Sequence, residues 1–113
     1  VAVHAVALAE SVEAAGIIVI TRRGIVADYV TAARPQHVPI FAFTNNSQTR
    51  RRLAMNRSVY AHRIAFSSDP EKTLRRAFDV LKKEGLAVDA KLVLISDVLA
   101  HQPTEAIQIR RLY

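Results

Sequence analysis

The residues best suited to chemistry lie in "VITRRGIVADYV", positions 19 to 30, where a short apolar strand runs into a helix through Thr21-Arg22-Arg23-Gly24. A hydroxyl, two guanidinium groups and a glycine at a helix start are the parts of an anion site. The first-turn amides and the helix dipole favour negative charge there, and arginine adds charge-assisted hydrogen bonds. The same four residues also make a tight structural turn with two solvated arginines. The sequence supports both readings.

Other constellations are weaker. His4, His37, His62 and His101 are far apart and give no metal-ligand pattern. Ser96, Asp97 and His101 have the residue types of a hydrolase triad, but no nucleophile elbow surrounds them. There is no lysine-bearing P-loop, no G-x-G-x-x-G and no acidic pair spaced for two metals, so no residue is assigned a catalytic role. Arginine clusters at 22–23, 50–52 with 57 and 63, 75–76 and 110–111 bring the net charge to +6. Such clusters raise nucleic-acid binding as a class. Against it, aromatics are only 6% of residues, no recognition motif is present, and the arginines are spread over several elements. They fit better as solvated faces or as partners for acidic groups on another domain or subunit.

The elements that must position these groups follow from periodicity. At 113 residues the chain has the length of one domain, which buries roughly two thirds of its unfolded surface. Half of the residues are hydrophobic and 23% charged, which excludes disorder, and no apolar run reaches the ~18 residues of a membrane span. The absence of cysteine suits a cytoplasmic compartment. Val1, Ala5, Leu8, Val12 and Ala15 form one helical stripe, with Gly16 as its C-cap, and "IIVIT" (17–21) is a strand buried on both faces. "GIVADYVTAAR" is a second helix, buried through Val26, Tyr29, Val30 and Ala33, that stops before Pro35. A strand at 39–44, a helix from Ser47 capped by Asn45 or Asn46, and a strand at 58–66 repeat the unit. "SSDPEKTLRRAFDVLKKEG" carries a complete set of helix signals: Ser68 or Asp69 as cap, Pro70, Glu71, the stripe Leu74, Phe78 and Leu81, then Lys82, Lys83 and Gly85.

Strands at 91–96 and 105–113 close the chain, with too few residues between them for a helical crossover, so the last is predicted antiparallel. The result is an α/β three-layer sandwich, an about five-stranded, mostly parallel sheet with helices on both faces. The chain opens inside a helical pattern with no initiator methionine and no basic segment ahead of an apolar one, and so reads as a piece of something longer.

"AVALAESVEAAGIIVIT" followed by "ARPQHVPIFAFTNNSQTRRRLAMNRSVY" resembles the C-terminal α/β domain of pyruvate kinase. The matching positions are Thr21, Gly24, Arg34, Pro35, Pro39, Ile40, Thr44, Asn46, Thr49, Arg51, Leu53, Arg57 and Val59, and the likeness runs through nearly the whole chain. The resemblance implies a regulatory and oligomerisation domain. Phosphoryl transfer from phosphoenolpyruvate to ADP, with its magnesium and potassium, belongs in that family to a separate barrel domain, so these 113 residues are expected to be non-catalytic and to carry no cofactor.

The family's effector loop binds a phosphorylated ligand through serine and threonine hydroxyls. Here Arg23 and Val26 replace two of them, leaving Thr21, Arg22, Arg23 and Gly24 as a rewritten effector or anion site. The glycine-rich lid of the family is replaced by "SDVLAHQPTEA" (96–106), where His101 or Gln102 would have to serve. The resemblance also implies pairing of last strands across a two-fold axis, with Ile107, Ile109, Arg110 and Arg111 at the interface of a homo-oligomer that is tetrameric in the parent enzyme. The alternative is a stand-alone anion- or nucleic-acid-binding α/β domain.

Overall fold

The computed structural model describes residues 2–33, 38–56, 58–96 and 106–112. The elements in chain order are α1 (Ala2–Ser11), β1 (Gly16–Ile20), α2 (Ile25–Ala32), β2 (Ile40–Thr44), α3 (Ser47–Ala54), β3 (Val59–Arg63), α4 (Pro70–Lys83), β4 (Lys91–Ser96) and β5 (Ala106–Arg111). The strands form one sheet in the order β3-β2-β1-β4-β5. Four strands are parallel, and β5 runs antiparallel to β4 in the register Val93↔Ile109 and Lys91↔Arg111.

Alternate side chains of each strand go to opposite faces, and both faces are buried. Ile17, Val19, Ile40, Ala42, Val59, Val93 and Ile95 pack with Ala5, Val6 and Ala9 of α1, Ala27 and Val30 of α2, and Leu53 of α3. Ile18, Ile20, Phe41, Phe43, Leu92 and Leu94 pack with Leu74, Ala77, Phe78 and Leu81 of α4 and with Leu112. This is the three-layer α/β sandwich expected from the alternating pattern. From β1 to β3 the chain steps outward in one direction with its helices on one face. It then returns across the other face through α4 to β4. Right-handed crossovers require that change of face when the direction reverses. β1 therefore has its successors on both sides, β2 on one and β4 on the other, and the carboxyl ends of β1 and β4 open at the switch point where α/β sheets bind ligands.

α4 follows its local signals throughout. Asp69 is the cap, accepting the Glu71 N–H at 3.1 Å, and Pro70 sits in the first turn. At the far end the Leu86 and Gly85 N–H groups reach back to the Leu81 and Lys82 carbonyls, each at 3.1 Å, which closes a Schellman turn.

Several expectations need correction. Gly16 is not the cap of α1: the helix ends at Ser11, and Gly16 opens β1, with Leu92 of β4 beside it. The physical reason for glycine is the Phe41 ring, since a Cβ at 16 would lie 2.6 Å from it. Tyr29 is not on the buried face of α2. Ala27 and Val30 are, and Tyr29 is 60% exposed. Along the last strand, Ile107 packs against the α1–α3 side of the sheet, and Leu112 beyond it is in the α4 core.

Candidate functional site

The turn after β1 is built on Thr21, which is fully buried. Its N–H donates to the Phe43 carbonyl of β2 at 2.9 Å, and its Oγ1 accepts the Gly24 N–H at 3.0 Å. A threonine hydroxyl that accepts a backbone amide three residues on closes the loop locally. Gly24 occupies the cap position of α2 in the left-handed region, φ 85° and ψ 3°. Glycine takes that conformation without steric cost, and it leaves α2 with no capping side chain.

What α2 lacks locally it receives from α3 and β2. Thr44, at the end of β2, donates its hydroxyl to the Arg22 carbonyl at 3.1 Å and accepts the Asn46 N–H at 3.3 Å. Asn46 caps α3 by accepting the Thr49 N–H at 3.0 Å. This fixes α3 beside the turn and carries Arg52 to it. Arg52 Nη2 donates to the Arg23 carbonyl at 2.7 Å, while Nη1 donates to both carboxylate oxygens of Asp28, at 3.1 and 3.2 Å. One guanidinium thus ties the loop, the first turn of α2 and α3 together. It also lies against Gly24, where an added Cβ would overlap Nη2.

The two arginines of the turn do not act as a pair. The Arg22 guanidinium lies 6.0 Å from the centre of the Phe66 ring, a cation–π contact on the α4 side. Arg23 is exposed, with its carbonyl held by Arg52. The side chain of Val26 and residues 97–105, with His101 and Gln102 of the expected lid, are outside the described residues. Ser96, the last residue of β4, is buried.

Thr21, Arg22, Arg23 and Gly24 form the turn that follows β1 at the switch point, and Asp28, Thr44, Arg52 and Phe66 lie against it. Sequence reasoning missed those four as site neighbours. The hint available was Asp28, an acidic residue in the first turn of a helix without a capping side chain.

At the other candidate surface, β5 is the last strand of the sheet. Ile109 is half exposed. Arg110 pairs with Glu71 of α4 at 3.0 Å, and Arg111 donates to the Asp89 carbonyl at 3.2 Å and lies 3.7 Å from its carboxylate. Both arginines thus have partners within the chain. Two clefts lie elsewhere, one of about 420 Å³ bordered by Glu10, Glu13, Ala14 and Val38, and one of about 270 Å³ bordered by Phe41, Tyr60, His62 and Glu84. Among the described residues, no three His, Asp or Glu side chains converge to hold a metal ion.

Residues 1–109 match the family model for pyruvate kinase, alpha/beta domain. The chain is 34% identical over 115 residues to pyruvate kinase isozyme G, chloroplastic, of Ricinus communis, covering 97% of this chain and 27% of that protein. It is 34% identical over 93 residues to pyruvate kinase isozyme A, chloroplastic, of Nicotiana tabacum, covering 81% of this chain and 16% of that one. The pyruvate kinase of Cryptosporidium parvum, solved in complex with ADP, superposes with a TM-score of 0.87 at 25% identity, over 99% of this chain and 23% of that structure. The chain thus spans about a quarter or less of the length of these relatives. Both plant relatives are named as chloroplastic, which does not support the cytoplasmic placement, and among the described residues no helix is long and apolar enough to cross a membrane. With the match running from the first helix into the last strand, the chain belongs to the pyruvate kinase family, in the part of it that forms the α/β domain.

Proposed function

We propose that this chain acts as the regulatory and oligomerisation domain of a pyruvate kinase. In that reading the parent reaction is phosphoryl transfer from phosphoenolpyruvate to ADP, giving pyruvate and ATP. It takes place in a barrel domain outside these 113 residues, which also holds the magnesium and potassium ions. The observation that carries the reading is the match of residues 1–109 to the α/β domain of that family. The role within the enzyme is supported by two features of the fold. The Thr21–Gly24 turn sits at the switch point with a helix start and arginines around it, a place suited to the phosphate of an effector. β5 leaves an apolar, half-exposed Ile109 on an outer strand, and such an edge is stabilised by pairing with another copy. The compartment is an aqueous one, cytoplasm or plastid stroma.

The test uses the full natural polypeptide that contains this segment. Supplied with phosphoenolpyruvate, ADP, magnesium and potassium, it is expected to form pyruvate, and light scattering of the same preparation is expected to give a tetramer that Ile109→Asp dissociates. A polypeptide that forms no pyruvate overturns the parent reaction. A variant that keeps the wild-type assembly overturns the role of β5.

A further inference from the structure

We infer that the turn at the end of β1 carries its own anion: Asp28 occupies the guanidinium of Arg52, and a phosphate group can engage the turn fully only by displacing it. The inference rests on the anion-binding reading of Thr21–Gly24 and concerns how that site is controlled.

Three observations lead to it. Arg52 is the basic group anchored most firmly at the turn, because Nη2 is fixed on the Arg23 carbonyl at 2.7 Å while Nη1 faces outward to Asp28. Arg22 and Arg23 are the residues that the sequence offers for phosphate, but the first is over Phe66 and the second is exposed, so neither is held at the mouth of the turn. Gly24, finally, is the residue against which Arg52 packs. A glycine at this place invites explanation as room for a ligand's close approach. Here the group that makes the close approach is a side chain of the same chain.

The electrostatics point the same way. A guanidinium offers a planar fork that suits a carboxylate or a phosphate equally. Asp28 takes the fork with both oxygens, and its place in the first turn of α2 also puts a negative charge at the positive end of the helix dipole. Both features that would attract a phosphate are thus already neutralised by one carboxylate. Arg52 is the positioning and anion-receiving residue, and Asp28 is the internal competitor that sets how strong an outside anion must be.

Calorimetry with inorganic phosphate at fixed low ionic strength tests this on the full natural polypeptide. Asp28→Asn keeps the shape and removes the competing charge, and phosphate affinity is expected to rise about fivefold. Asp28→Glu keeps the charge and is expected to stay within twofold of the wild type. Arg52→Lys added to Asp28→Asn keeps a cation but loses the fork, and the gain is expected to disappear, which a general effect of net charge would not produce. Equal affinity in the wild type and Asp28→Asn overturns the inference and leaves the anion site standing. No binding in either removes the anion site, and the inference with it. A gain that survives Arg52→Lys assigns the effect to charge alone and overturns the role of Arg52.

Discussion

α2 and α4 both begin near the carboxyl edge of the sheet, and their starts are solved in opposite ways. α4 is capped by its immediate neighbours. Asp69 accepts the N–H of Glu71, Thr73 Oγ1 accepts the N–H of Ser67, and Pro70 and Glu71 fill the first turn. Every partner is within six residues. α2 begins at a glycine with positive φ, and its charges are balanced by Arg52, which is 24 residues from Asp28 and 29 from Arg23. A locally capped start is robust and has nothing left over for a ligand. A start balanced by a distant side chain depends on the tertiary fold and can be unbalanced by anything that competes for that side chain.

The largest expected effect comes from breaking the unusual start. Gly24→Ala would place a Cβ at φ +85°, against Arg52 and within 3.3 Å of Leu53 and Thr49 side-chain carbons. Left-handed backbone strain at a non-glycine residue costs on the order of 1–3 kcal/mol. We expect a loss of about 2 kcal/mol in urea unfolding, with the displacement of Arg52 included. A loss below about 0.5 kcal/mol would show that the turn relaxes freely and that Gly24 does not seat Arg52.

This contrast also explains what was legible in the sequence. β4 is legible with its observed bounds, 91–96, because a β-branched and leucine-rich run buried on both faces needs no partner to be recognised. The buried Leu74, Phe78 and Leu81 of α4 are legible, and its cap is narrowed to Ser68 or Asp69, of which the fold uses Asp69, since capping and the 3.6-residue period are local. The end of α1 is not legible in this way, because Gly16 has the type of a C-cap while the reason for that glycine is the ring of Phe41, 25 positions further on in the sequence. The site divides in the same way. Thr21 and Gly24 were legible as a turn because their hydrogen bond spans three residues. Arg52 appeared only as part of a basic cluster, because its pairing with Asp28 exists only once α2 and α3 lie side by side on the sheet.

A smaller effect is expected at the ordinary start. Asp69→Ala removes the cap of α4 and leaves the Glu71 N–H with water as its partner, a change of about 1 kcal/mol. Because the bond is a short-range hydrogen bond and not a pair of separated charges, the loss should be nearly the same in low and high salt. A loss that vanishes in 1 M salt would mean that Asp69 acts through the helix dipole more than through its hydrogen bond.

The smallest effect is on stability at the Arg52–Asp28 pair itself. Both side chains are about half exposed, 50% and 54%, so solvent screens the pair in spite of its two-oxygen geometry. A double-mutant cycle with Arg52→Ala and Asp28→Ala should give a coupling of no more than about 1 kcal/mol, fading in high salt. The value matters more than its size suggests. If displacement of Asp28 is the whole obstacle to an entering phosphate, the coupling energy is what Asp28→Asn releases, and about 1 kcal/mol corresponds to about a fivefold change in affinity. A coupling near zero together with a large gain in phosphate binding would mean that Asp28 repels the ligand directly without competing for Arg52. Agreement between the two measurements would identify one carboxylate as both the neutralising charge of α2 and the threshold of its anion site.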